Sequence, residues 1–194
     1  MRGLLALGFS VLLLAGCSVD PSAAPTATPS DTPSAQSDSP SPAAAAPAPE
    51  RLSIDAIGVD TGLVSLGLAE DETVEVPSNP DDAGWYTLGP SPGEDGSAVI
   101  LGHVDSPTGP AVFAQLPSLQ VGDEIDVTRK DGSQVTFSVA RVATYANEDF
   151  PANKVYASTP GFPTLRLVTC GGDYDAANGG YQSNVVVYAN LVTP

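Results

Sequence analysis

Basic residues are scarce in this chain of 194: seven Lys and Arg stand against 23 Asp and Glu, a formal charge of −16. A surface so acidic repels phosphate backbones and anionic headgroups, which excludes nucleic-acid binding and electrostatic adhesion to lipid as functions. Histidine occurs once, at His103, and cysteine twice, at Cys17 and Cys170. So small a set cannot build an ordinary zinc centre, and no His/Cys pair stands at zinc-ligand spacing. The acidic stretches "EDE" and "NEDF" fit no EF-hand loop. The lone histidine has no GxSxG elbow to serve, which argues against a serine hydrolase. No metal and no cofactor is expected. Helical periodicity is nearly absent, and no apolar run reaches the roughly 20 residues of a comfortable membrane span.

What is present falls into three parts. Residues 1–17 read "MRGLLALGFSVLLLAGC", one arginine and then an apolar run of signal-peptide length ending in small residues. The tetrad Leu14-Ala15-Gly16-Cys17 resembles the bacterial lipobox, which implies removal of the preceding peptide and a lipid on Cys17. The protein is then expected outside the cytoplasm, anchored at the cell surface as a lipoprotein. Residues 18–49 are Ser, Pro, Ala and Thr with a few Asp, and hold almost nothing large enough to fill a core. Such a segment cannot offset the entropy of ordering itself. It is expected to be a disordered tether, extended by proline at up to about 3.1 Å per residue. From Glu50 to Pro194 the composition is that of one ordinary domain.

Within that domain the pattern is β. Leu52, Ile54 and Ala56 alternate with polar neighbours as a half-buried strand does, and "AVILGH", Ala98 to His103, reads as a strand buried on both faces. Asp131-Gly132 lies between "EIDVTRK" and "SQVTFSVARVATY", a strong hairpin signal. "TLRLVT" and "NVVVYANLV" give two more strands, and only "PAVFAQL", Pro110 to Leu116, hints at a helical turn or two. Short strands divided by Gly, Pro, Asp and Asn predict an all-β barrel or sandwich.

If Cys17 carries lipid, Cys170 has no partner within the chain, and a left-over thiol in an oxidising compartment is buried, bridged between molecules, or reactive. His103 follows "VILG" and Cys170 follows "RLVT", so both are predicted where strands give way to glycine-rich loops. A thiol whose proton passes to an imidazole is the nucleophile of cysteine peptidases and acyltransferases. Taken singly, a lone histidine is more often a surface hydrogen-bonder and a lone cysteine a small core hydrophobe.

"VILGHVDS", "AVFAQLPSLQVGDEIDV", "LRLVTCGGDYD" and "NVVVYANL", in that order and spacing, resemble a sortase, closest to the class F sortases of actinobacteria. The resemblance covers about residues 50–192 and implies an eight-stranded β-barrel with one or two short helices. It implies a cysteine transpeptidase that cuts a Leu-Pro-x-Thr-Gly-like sorting signal on secreted proteins and passes the acyl group to an amine, in a cell-wall precursor or elsewhere. Cys170 would form the thioacyl enzyme, and His103 would protonate the leaving amine and deprotonate the incoming one. The family's third residue, an arginine on the strand after the cysteine, has no counterpart here, where "GGYQSNVVVY" offers Gln182, Ser183 and Asn184. Arg166 is the expected substitute, because strand alternation puts it on the face of Cys170. Its alternative is an outward strand charge with no catalytic part. Two other readings compete with a sortase: an L,D-transpeptidase, whose "SHGC" signature is missing, and a surface binding module on a sortase-like barrel.

Overall fold

The computed structural model describes residues 46–157 and 161–192. The leader, the lipobox at Cys17 and nearly all of the expected tether lie outside the described residues.

Ten strands form: β1 (Pro49–Ile54), β2 (Val59–Leu66), β3 (Ala83–Tyr86), β4 (Gly96–Gly102), β5 (Asp105–Ser106), β6 (Gly109–Pro110), β7 (Glu124–Arg129), β8 (Gln134–Ala146), β9 (Pro163–Asp175) and β10 (Gly180–Leu191). Eight of them close into a barrel in the order β1-β2-β3-β4-β9-β10-β8-β7, and β5 and β6 make a separate two-residue ribbon. The expected eight-stranded all-β barrel is therefore the observed fold. Closure leaves no free sheet edge. Most neighbours are antiparallel, but β2 with β3 and β4 with β9 run parallel.

Period-two patterning sorts the side chains. Leu52, Ile54, Ile100, Ile125, Phe137, Leu165, Leu167 and Val187 point inward and fill the barrel. The intervening residues Val99, Leu101, Val168 and Val186 point outward, where Val155, Tyr86, Phe150 and Tyr156 cover them. β4 and its neighbours are thus buried on both faces, as the continuous apolar run of "AVIL" predicts. The predicted hairpin at Asp131-Gly132 joins β7 to β8.

Three expectations change. The first strand stops at Ile54, and Ala56 is exposed in a single 3-10 turn, Asp55–Ile57. Pro110 to Leu116 is not helical. Pro110 closes β6, and the residues after it are tied by i-to-i+3 bonds, Ala114 N–H to Ala111 and Leu116 N–H to Phe113, into a 3-10 turn at Leu116–Ser118. Phe113 and Leu116 are wholly buried at that three-residue spacing, so a tight turn satisfies them as well as a helix would. The α-helix present is α1, Ala152–Tyr156, too short to show a period in sequence.

Candidate active site

Two strand registers place the chemistry. β4 and β9 pair parallel up to Leu101 opposite Val168; β4 then ends at Gly102, and His103 follows it as β9 runs on to Cys170. On the other side of β9, Asn184 of β10 is the partner of Cys170, and Tyr145 of β8 is the partner of Asn184. Cys170, Asn184 and Tyr145 therefore stand in one row across three strands on the outside of the barrel, with His103 just past the end of β4. His103, Cys170 and Asn184 line a groove of about 860 Å³ whose apolar walls include Val74, Val76, Tyr86, Phe150, Tyr156 and Val168. The sequence expectation that thiol and imidazole meet in space is met to this extent: one groove holds both.

β9 does not stop at the thiol, as the glycine pair led one to expect. It runs on to Asp175, with Gly171 opposite Ser183 and Tyr174 opposite Tyr181 around a bulge in which Gly172 and Asp173 oppose Gln182. The glycines allow that close approach. A Cβ on Gly171 would stand 2.8 Å from Val185 Cγ2, and Gly172 has φ +75 with Ser183 Oγ 2.8 Å from any Cβ. Cys170 is exposed at this point of the hairpin. The surrounding wall nonetheless desolvates the sulfur and pushes the thiol above its ordinary pKa, and the nearby Asp105 carboxylate adds to the effect. The resting sulfur is protonated at neutral pH.

His103 is fixed from two sides. Its carbonyl accepts the Phe113 N–H at 2.9 Å, and a ring nitrogen, Nε2, lies 2.7 Å from the Pro77 carbonyl. A carbonyl only accepts, so Nε2 carries the proton and, in the neutral ring, Nδ1 is left as the base. Gly102 makes the first contact possible, because a Cβ there would fall 2.6 Å from Phe113 Cδ2. The segment expected to be a helix is in fact the floor beneath the histidine.

Arg166 shares the outward face of Cys170, as alternation predicts, but it lies two rows down the barrel, roughly 13 Å along the strand. Its row reads Val99, Arg166, Tyr188, Arg141 across β4, β9, β10 and β8. The guanidinium stacks on Tyr188 at 4.7 Å from the ring centre and donates to the Leu165 carbonyl at 3.1 Å. Arg141 sits over the same ring at 4.8 Å. Burial pushes the Arg166 pKa down. Burial also pushes the Tyr188 phenol, bonded to Tyr145, up to about 12, so it offers the arginines a neutral ring. Arg166 is not among the residues lining the groove. Asn184 is, with Nδ2 donating to Asn147 Oδ1 at 3.0 Å. Its sequence signal was the "SN" where an arginine was sought. Among the described residues no group of three or more His, Cys, Asp or Glu could hold a metal ion.

The site's thiol and imidazole can form and release an acyl group, and comparison with known proteins gives that chemistry a lineage. No curated protein matches the chain. Among solved structures it is similar to sortase C-1 from Actinomyces oris, at 19% identity over 74% of this chain and 73% of that one, with a TM-score of 0.57. It is similar to sortase A from Corynebacterium diphtheriae at 20% identity, 76% of this chain, only 62% of that one and a TM-score of 0.59. A sortase D5 transpeptidase from Clostridium perfringens matches at 21% identity, over 75% and 79% of the two chains, with a TM-score of 0.56. These likenesses confirm the fold. The model of the Sortase domain matches residues 52–192, the whole barrel and more than half of the sequence, and the chain therefore belongs to the sortases, a family of cysteine transpeptidases.

Proposed function

We propose that the protein is a class F sortase in which Cys170 attacks the Thr–Gly bond of a Leu-Pro-x-Thr-Gly-like sorting signal. The observation that carries this reading is the one groove that His103 and Cys170 both line. An extended peptide lies along the apolar walls with its scissile carbonyl over the sulfur. Because the thiol is protonated at rest, its proton must leave as it attacks. His103 accepts it at Nδ1, with Nε2 held by Pro77, and delivers it to the departing glycine amine. The thioacyl enzyme then meets an amine acceptor in a cell-wall precursor or another protein, and His103 takes its proton.

The carbonyl oxygen becomes negative in each half-reaction and needs a donor. Asn184, beside Cys170 in the row, is the group within reach. Arg166 contributes as a positioning residue, a fixed positive charge on the same strand face, stacked on Tyr188. Action is at the cell surface, and we further propose a lipid on Cys17 as the anchor. Nothing in the groove favours an L,D-transpeptidase or an inert binding module.

Incubation with a sorting-signal peptide and mass analysis of the intact protein tests the reading. Wild type should gain the acyl mass on Cys170. Cys170→Ala should gain none, and His103→Ala should lose nearly all transfer with its fold retained, the two losses not adding in the double variant. Full acylation of His103→Ala would remove the pair.

A further inference from the structure

Cys170 has two flanks, and the acyl peptide uses only the apolar one. On the other flank stand Asp105, Tyr181 and Tyr174, which the acylation step leaves idle. Asp105 opens β5, two residues after His103. Tyr181, at the start of β10, donates its hydroxyl to Asp105 Oδ2 at 2.5 Å across 76 residues of sequence. Tyr174, the cross-strand partner of Tyr181, sets its ring edge-on at 5.2 Å between centroids and is 66% exposed.

A bare carboxylate here opposes the first half of the reaction. It stands beside a sulfur that must lose its proton: Asp105 follows His103 by two residues, and Tyr181, which holds it, lies three residues before Asn184, the cross-strand partner of Cys170. Among the described residues no Lys or Arg pairs with it: the ion pair found there is Arg51 with Asp60. The second half of the reaction brings a cation to this spot, because an aliphatic amine is an ammonium at neutral pH. A carboxylate oxygen framed by tyrosine rings is the chemistry that holds an ammonium, by a charge-assisted hydrogen bond and by the ring faces.

We propose that Asp105, steadied by Tyr181 and flanked by Tyr174, is the acceptor subsite of this enzyme and receives a primary ammonium. The inference rests on the transpeptidase reading above. The ammonium docked at Asp105 gives one proton to the neutral His103. Its nitrogen attacks the thioacyl carbon, the C–N bond forms, the C–S bond breaks, and the second N–H proton goes to the leaving sulfur. The products are the amide, the Cys170 thiol and an imidazolium that returns its proton to water.

Two competing nucleophiles test this on the full chain acylated with a sorting-signal peptide. Ethanolamine is cationic at neutral pH and hydroxylamine is uncharged. Both products come from one acyl-enzyme, so their ratio does not depend on how much enzyme is folded. Asp105→Asn should lower the ethanolamine-to-hydroxylamine product ratio about tenfold, the order expected of one charge-assisted contact open to solvent. Added salt should lower the wild-type ratio more than that of Asp105→Asn, which keeps only the attraction of the overall negative charge. Tyr181→Phe should give a smaller drop. A wild-type ratio in Asp105→Asn overturns the subsite alone, whereas a wild-type protein that forms no acyl-enzyme overturns the transpeptidase reading and the subsite with it.

Discussion

His103 donates through Nε2 to the Pro77 carbonyl, and that one bond decides which nitrogen is left to work. Beside it, Cys170 is held protonated by desolvation first and by Asp105 second. The titratable groups around the sulfur are His103, Glu72, Tyr86 and Tyr156 from the groove, with Asp105 and Tyr181 on the far flank. Because His103 takes the thiol proton during attack, a raised thiol pKa keeps the reacting S–H present through the neutral range, so acylation at subsaturating peptide should fall only in the alkaline range where the thiol ionises. Asp105→Asn removes one raising cause, so this falling limb should move to lower pH, a shift read directly from the pH profile. The oxyanion donor is ranked by the rows. Asn184→Ala should slow single-turnover acylation about 100-fold, the usual cost of losing one such donor. Arg166→Ala, two rows away, should cost less than about tenfold, because its guanidinium is held on the Tyr188 ring and the Leu165 carbonyl rather than at the sulfur. Arg141→Ala is the control and should be near neutral. A larger loss in Arg166→Ala than in Asn184→Ala would return the oxyanion to the guanidinium.

At the scale of elements, the site depends on how β4 and β9 end and on what lies under them. Gly102 lets Phe113 and Val112 pack against the strand just before His103, with Val112 Cγ1 only 2.7 Å from any Cβ. Gly102→Ala should overpack this floor, at a cost of about 1–3 kcal/mol, and lift His103 from its place. The check is a thermal melt beside kcat/KM, with Gly102→Ala/Val112→Ala expected to recover part of both. Much of this was legible beforehand. The buried run of β4, the Asp131-Gly132 hairpin, and the positions of His103 and Cys170 all follow from local pattern and turn chemistry. The shared groove of His103 and Cys170 was not, because it needs the parallel pairing of β4 with β9, and a strand's own residues do not name its neighbour. The Arg166 expectation shows the limit: alternation gave its face correctly but not its distance from the sulfur. The helix expected at Pro110 to Leu116 came from three-residue spacing that a 3-10 turn shares. Asp105 and Tyr181 meet only through the closed barrel, so no local pattern announced them.

For the whole molecule, charge sets two opposed trends with pH. Asp60 is held below the ordinary carboxylate range by Arg51, Asp71 by the Thr73 hydroxyl, Asp131 by the Ser133 hydroxyl and Asp175 by Asn178. Each has a lower pKa folded than unfolded, so its contribution is present above about pH 4 and is lost as pH falls through the native values. Asp60, Asp71 and Asp131 are exposed and Asp175 is half-buried, and each contributes little. Against them stands self-repulsion from a formal charge of −16, which destabilises the compact state at pH 7. Acidification from pH 7 first protonates the least favoured carboxylates and relieves that repulsion, while the four turn and ion-pair aspartates stay charged. Only below about pH 4 do these take up protons, and then the unfolded chain, with its higher pKa values, binds them more readily. The melting temperature should therefore rise gently from pH 7 to about pH 5 and fall below about pH 4. Added salt should raise it at pH 7, where repulsion dominates, and change it little near the isoelectric point of about 4.1. Calorimetry across this range decides the matter: a melting temperature that declines steadily from pH 7 downward, or one lowered by salt at pH 7, would show that net repulsion is not what limits the stability of this barrel.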